Sequence, residues 1–172
     1  IIVAHTAARK ATSIFMLPFS VFGTTLATYC SQNYGAREYN RIKTGIKDTV
    51  LVTFVWCTGV IIIANVLSPV IIKAITATSE PEVIQTATTY LRINTALYYV
   101  PAVICLFRQS MQGFGDNITP LISSSMELIV KVLVAVLLAP AIGYTGIMIS
   151  EPIAWVIMVI PLCLSMKNFF KK

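Results

Sequence analysis

"SSSMELIVKVLVAVLLAP", residues 123–140, sets Glu127 and Lys131 four positions apart inside a run that is otherwise almost wholly apolar. If a helix starts near Pro120 and rises about 1.5 Å per residue, Glu127 lies about 10 Å along it and Lys131 about 16 Å, close to the midplane of a hydrocarbon core about 30 Å thick. A charge at that depth costs about 2.5–3.5 kcal/mol on insertion scales. An acid four residues before a base is the favourable helical orientation, yet such a pair contributes only about 0.2–0.5 kcal/mol. The attraction is too small to offset the cost, so both side chains must face protein or water. Ser123, Glu127 and Lys131 recur at four-residue steps with Ser124 beside them, while Leu121, Ile122, Leu128, Ile129, Val132, Leu133, Val136 and Leu137 build the other faces. The pattern predicts one polar stripe lining an interior cavity. A static pair that locks the bundle is one role for it. Handling of protons, cations or a ligand is the other, and intramembrane ionisable groups usually mark such pathways.

The composition extends this reading to the whole chain. Of 172 residues, 56% are hydrophobic and 12% charged, where soluble domains carry about one quarter charged residues. Apolar stretches at 11–31, 49–72, 88–107, 119–140 and 147–166 are each long enough to span a bilayer, which predicts an all-α polytopic bundle with five spans. The first stretch lacks the short flanks and cleavage site of a signal peptide. Pro18, Pro69, Pro101, Pro152 and Pro161 fall within spans and predict bends. No linker divides residues 1–172, and the opening "IIVAHTAARK" reads as the tail of an earlier element, so the chain is expected to be a fragment.

The net charge of +6 is distributed in a way that points to a membrane and not to nucleic acid. Eight of thirteen basic residues, namely Arg37, Arg41, Lys43, Lys47, Arg108, Lys167, Lys171 and Lys172, fall in the first and third connections and the tail. Positive residues gather on the cytoplasmic side, which predicts a cytoplasmic C-terminus and an outward N-terminus. Cys30, Cys57, Cys105 and Cys163 lie on four spans without C-x-x-C spacing, so they read as thiols and not as a metal site or disulfide framework. His5 is the only histidine, and it has no second ligand beside it. No cofactor is expected. Glu151, just inside the fifth span, is an interfacial acid or a second titrating group, and Asn94, Tyr98 and Tyr99 of the third span are candidate ligand contacts.

Five stretches carry a family likeness. "SQNYGAREYNRIK" (31–43), "YLRIN" (90–94) followed by "FRQSMQGFGDNITP" (107–120) and "MELIVK" (126–131), and the closing "GYTGIMISEPIAW" (143–155) resemble, in order, segments of multidrug and toxic compound extrusion (MATE) transporters. The resemblance implies a protein of two six-helix lobes around a central cavity, driven by sodium or proton antiport. This chain would then be helices eight to twelve, with the N-terminal lobe missing. It also implies that Gln32, Asn33, Gly35 and Arg41 form a cytoplasmic junction, and that Glu127 with Lys131, together with Glu151, are the cation-coupling or ligand-facing groups. The substrate would be a small organic cation and the location a bacterial or archaeal plasma membrane, in contact with lipid. Between Ile84 and Met111 there is no Asp or Glu, where some members hold a cation-binding acid, so the choice between sodium and proton stays open.

The absence of G-x-x-x-x-G-K-[ST] leaves ATP hydrolysis without a P-loop in this chain. Two alternatives remain at this point. A related lipid-linked oligosaccharide flippase would need a basic groove for pyrophosphate. "GFGD", Gly113–Asp116, also matches an intramembrane aspartyl protease pattern, but that chemistry needs a second carboxylate within a few ångströms. Asp116 reads instead as a turn or helix-capping residue.

Overall fold

The computed structural model describes residues 2–76, 80–137, 140 and 143–171. The described elements are helical, in the order α1 (Ile2–Gly35), α2 (Tyr39–Thr76), α3 (Pro81–Ala96), α4 (Tyr99–Gly113), α5 (Ile118–Leu137) and α6 (Tyr144–Lys171). The expected all-α bundle is the observed one, while the expected count of five spans is corrected. Among the described residues three helices, His5–Gly35, Tyr39–Thr76 and Ile149–Lys171, are long and apolar enough to cross a membrane, and a fourth span arises if α3 and α4 count as one bent pair. The expected span 119–140 corresponds to α5, and positions 138 and 139 at its end lie outside the described residues.

The third expected span, 88–107, is two helices bent by 54°, and Pro101 accounts for the break. Its ring removes one amide donor and crowds the carbonyl four residues earlier, here that of Leu97. The chain responds with tighter bonds, Tyr98 N–H to Thr95 O at 3.1 Å and Val100 N–H to Leu97 O at 2.9 Å. Asn94 and Thr95 side chains bond the carbonyls of Tyr90 (3.0 Å) and Leu91 (2.8 Å) just before the bend. Pro18, Pro69, Pro152 and Pro161 stay within continuous helices.

Two cores hold the bundle. One gathers Phe19, Leu26, Ile46, Tyr98, Leu106 and Met158. The other gathers Ala7, Ala8 and Ala11 of α1 against Ala64, Ile72, Ala87 and Tyr90, and its alanines let backbones approach closely. Helices α1 and α4 cross closely: a Cβ at Gly113 would collide with the carbonyl of Ala27, and one at Gly23 would come within 2.9 Å of Gln109 Cγ.

One end of the bundle is fastened by rings. Phe114 stacks on Phe169 at 4.4 Å, and Tyr34 and Tyr39 contact this pair. The first connection, the α4–α5 turn and the C-terminal helix therefore meet at one end, as the distribution of basic residues predicts. The end of α1 is closed by bonds from Glu38 N–H to Asn33 O (2.8 Å) and Arg37 N–H to Tyr34 O (3.1 Å). This closure needs a left-handed residue, normally glycine, and here Arg37 supplies it at φ 60°.

Two stability outcomes follow. Gly113→Ala should lower stability by about 1–3 kcal/mol, because backbone and not a flexible side chain stands in the way. Arg37→Gly should raise it by about 1 kcal/mol by relieving a left-handed non-glycine residue. Thermal midpoints of the purified protein in detergent, compared at constant pH, check both.

Candidate functional site

The rotation of α5 about its axis decides the site. Leu128 and Val132 are 66% and 53% exposed, whereas the side chains of Glu127 and Lys131 are 26% and 38% exposed. The helix is thus inverted relative to one in water, with charge turned toward protein and hydrocarbon turned outward. Ser123, fully buried on the same stripe, fixes the rotation by donating to the carbonyl of Met158 on α6 at 2.9 Å.

Lys131 Nζ donates to Glu127 Oε1 at 2.8 Å. The other oxygen, Oε2, faces Arg108 Nη2 of α4 at 3.8 Å, too far for a hydrogen bond. Arg108 is a correction to the sequence reading, which counted it with the cytoplasmic connection. It stands inside α4, five positions before the helix ends, and its Nε and Nη2 are buried without a hydrogen-bond partner. An arginine this close to a basic connection looks like a boundary charge in sequence. Only the packing of α4 on α5 reveals it as a second cation on Glu127.

A second charged group lies nearby. Glu151 of α6 receives Arg9 Nη2 of α1 at 3.4 Å on Oε1 and the hydroxyl of Tyr90 at 3.4 Å on Oε2. Both carboxylates line one cavity of about 210 Å³, walled by Arg9, Thr12, Ser13 and Met16 of α1, Glu127 and Lys131 of α5, and Glu151 and Trp155 of α6. The three charged residues singled out in the sequence, Glu127, Lys131 and Glu151, therefore share one space although 24 positions separate the two acids. In sequence Arg9 looks like a boundary charge and Thr12 carries no signal, since nothing in a linear pattern shows which face of α1 meets α5 and α6.

The remaining candidates are placed elsewhere. Asn94 is buried beside the helix break. Tyr98 stands one layer behind the cavity, its hydroxyl on the carbonyl of Thr12 at 3.1 Å and its ring against Trp155. Tyr99 is turned toward α2, its hydroxyl 2.8 Å from that of Thr58. Ser124 bonds its own helix at Pro120 O, 3.0 Å away. At the junction, Asn33 is buried and bonds Tyr29 O at 2.8 Å, and the carbonyl of Arg41 accepts the Tyr29 hydroxyl at 3.3 Å. Gln32 and Gly35 are exposed, and an added Cβ at Gly35 would meet nothing within 4 Å, so these two take part through the backbone.

A larger cavity of about 390 Å³ between α1 and α2 is walled mainly by Phe22, Leu26, Tyr29 and Val52, with Asp48 as the charged member of its wall. Its chemistry is that of an apolar crevice. Among the described residues no group of three or more His, Cys, Asp or Glu is placed to hold a metal ion.

Asp116 caps α5. Its Oδ1 accepts the Thr119 amide at 3.1 Å, and its Oδ2 accepts the Thr119 hydroxyl at 2.7 Å and the Ser165 hydroxyl at 3.3 Å. Gly115, at φ 89°, supplies the left-handed turn just before it. The capping role anticipated from "GFGD" is the one the geometry displays.

A bundle of long apolar helices that turns its charges inward around a small cavity is an integral membrane protein built to handle a solute or an ion. The family model MatE matches residues 2–137, and the chain belongs to that family of membrane transporters. The search of curated proteins and the search of solved structures found no match. The matched region contains α1 to α5, so Glu151 and Trp155 complete the cavity from beyond it.

Burial of the Asp116 carboxyl works to raise its pKa, but the hydrogen bonds from Thr119 and Ser165 outweigh it and hold it below the ordinary value of 3.8. A depressed carboxyl stabilises the fold above its unfolded pKa, and that stabilisation is lost as pH falls through the folded value. Asp116→Asn keeps a capping side chain but cannot titrate. Its thermal midpoint should therefore fall less than that of the parent between about pH 5 and 3, and Asp116→Ala should cost about 1 kcal/mol at neutral pH.

Proposed function

We propose that this chain works as the C-terminal lobe of a secondary active exporter, in which a sodium ion or proton moving inward drives a small organic solute outward by alternating access. One observation carries the reading: two carboxylates, each held by a cation from another helix, share a cavity where α1, α5 and α6 meet. A site of this kind changes its charge when a cation binds, and a change in charge can bias one packing of helices over another.

Glu127 is the coupling group in this reading. As a carboxylate it binds Lys131 directly and attracts Arg108. A proton or sodium on its oxygens cancels that attraction, and two cations in a low-dielectric setting then repel each other and seek water or an anionic partner. The α5 helix, anchored to α6 near its start by Ser123, would move at its Lys131 end. Transport of this kind draws its work from an ion gradient, consistent with the lack of a P-loop motif in the chain.

The missing N-terminal lobe faces α1, whose exposed side carries Ser13, Ser20, Thr24 and Thr28. The hydroxyls of Ser13, Thr24 and Thr28 bond carbonyls four residues back, so the face tolerates either water or a neighbouring helix. Lipid covers the exposed apolar sides of α2 and α5. The location is the plasma membrane, with the aromatic end and its flanking basic residues in the cytoplasm.

Glu127→Gln in the full-length protein, reconstituted in vesicles, tests the coupling role. Efflux driven by an imposed proton or sodium gradient should fall by about tenfold or more, the usual scale for losing a charged functional group. Unchanged efflux with unchanged gradient dependence would make the Glu127–Lys131 pair a structural lock.

A further inference from the structure

The cavity wall sets Arg9 and Lys131 against Glu127 and Glu151, and Arg108 of α4, outside the wall, adds a third positive charge against Glu127, so the charged cluster as a whole carries three cations and two anions. Hydrogen-bonding capacity is skewed the same way. Both oxygens of Glu151 are engaged, by Arg9 and Tyr90, and Glu127 Oε1 is engaged by Lys131. The donors are in excess. Lys131 has three N–H groups and spends one on Glu127, and Arg108 Nε and Nη2 are buried with none of theirs accepted. The hydroxyl of Thr12 is the most telling: the residue is 6% exposed, it forms part of the cavity wall, and its Oγ1 has no hydrogen-bond partner.

An ammonium entering here would meet carboxylates already paired and would have to displace Arg9 or Lys131 into a region that is already net positive. A carboxylate entering here brings the charge and the acceptors that the walls lack. We propose that the cavity binds the carboxylate of a small organic acid, whose oxygens accept hydrogen bonds from Lys131, Arg9 and the Thr12 hydroxyl, with an apolar body lying against Trp155 and Met16. This deepens the transport reading of the same site, on which it rests, and reverses the expected sign of the solute. The volume of about 210 Å³ is below the roughly 300 Å³ at which drug-sized pockets begin, which suits a monocarboxylate with one ring. Two carboxylates in the same walls disfavour a pyrophosphate, whose dense charge would face both.

Equilibrium dialysis of the full-length protein with radiolabelled phenylacetate, competed by unlabelled phenylacetate or benzylammonium, tests it with a pair of probes alike in body and opposite in sign. Phenylacetate should bind saturably, with benzylammonium about tenfold weaker or worse. Lys131→Met should weaken phenylacetate by about 10-fold to 100-fold, the scale of one charge-assisted hydrogen bond, while Lys131→Arg keeps the charge, retains binding and shows that the position tolerates change. Thr12→Val should weaken it severalfold. Benzylammonium binding as well as phenylacetate, no phenylacetate binding, or binding indifferent to Lys131→Met would each overturn the proposal. Gradient-driven efflux measured on the same preparations separates the two readings: efflux of benzylammonium refutes the sign of the solute and leaves the transporter standing, whereas phenylacetate binding without gradient-driven efflux does the reverse.

Discussion

A charged side chain deep in a helix that also faces hydrocarbon leaves that helix one orientation. Glu127 and Lys131 cannot gain enough from each other to face lipid, so α5 must turn them toward α1, α4 and α6. With the rotation fixed, Leu128, Ile129, Val132 and Leu133 point outward, Ser123 is brought to the carbonyl of Met158, and Arg108 is brought to the second oxygen of Glu127. The cavity results from this constraint. Helices that carry charges on their facing sides cannot close as tightly as those that carry alanine, and the space that remains is lined by whatever solvates the charges.

The contrast with the α1–α4 crossing makes the point. There the facing residues are glycines, and the backbones approach until an added methyl at Gly113 has no room beside the carbonyl of Ala27. Lipid offers no hydrophobic reason for helices to associate, so contact area and satisfied polar groups must hold them together. The bundle uses both. Small residues close one side of α1, hydroxyl-to-carbonyl and tyrosine-to-carbonyl bonds tie neighbouring elements, and where the proline breaks α3 from α4 the freed Leu97 carbonyl is met by the Val100 amide.

Much of this was legible in the sequence, and the reasons for the rest are specific. Helix class, the inward face of α5 and the clustering of basic residues at one end follow from periodicity and from the cost of charge in a bilayer, both of which act on a single helix at a time. The partners of that face depend on which sides of four helices meet, and no local pattern encodes this. Hence in sequence Arg108 and Arg9 look like boundary charges and Thr12 carries no signal, while Tyr98 and Ser123, polar residues that look available, spend their hydroxyls on backbone carbonyls. The broken third span was foreshadowed by Pro101. Its size was not, because a proline in a membrane helix can be absorbed by a mild bend or can split the helix, depending on what its neighbours supply.

The charged pair is neither sealed from water nor fully exposed. A pair sealed from water is costly to separate, several kcal/mol when one partner is removed, because the survivor is left unsolvated. A fully exposed pair contributes almost nothing and would couple to nothing. Glu127, Lys131 and Arg108 lie between these limits, each between about a quarter and two-fifths exposed, and Glu127 and Lys131 line the cavity. Arg108, held at 3.8 Å with donors unspent, is poised to take a larger share of Glu127 if Lys131 leaves. The two cations therefore compete for one carboxylate, each on its own oxygen.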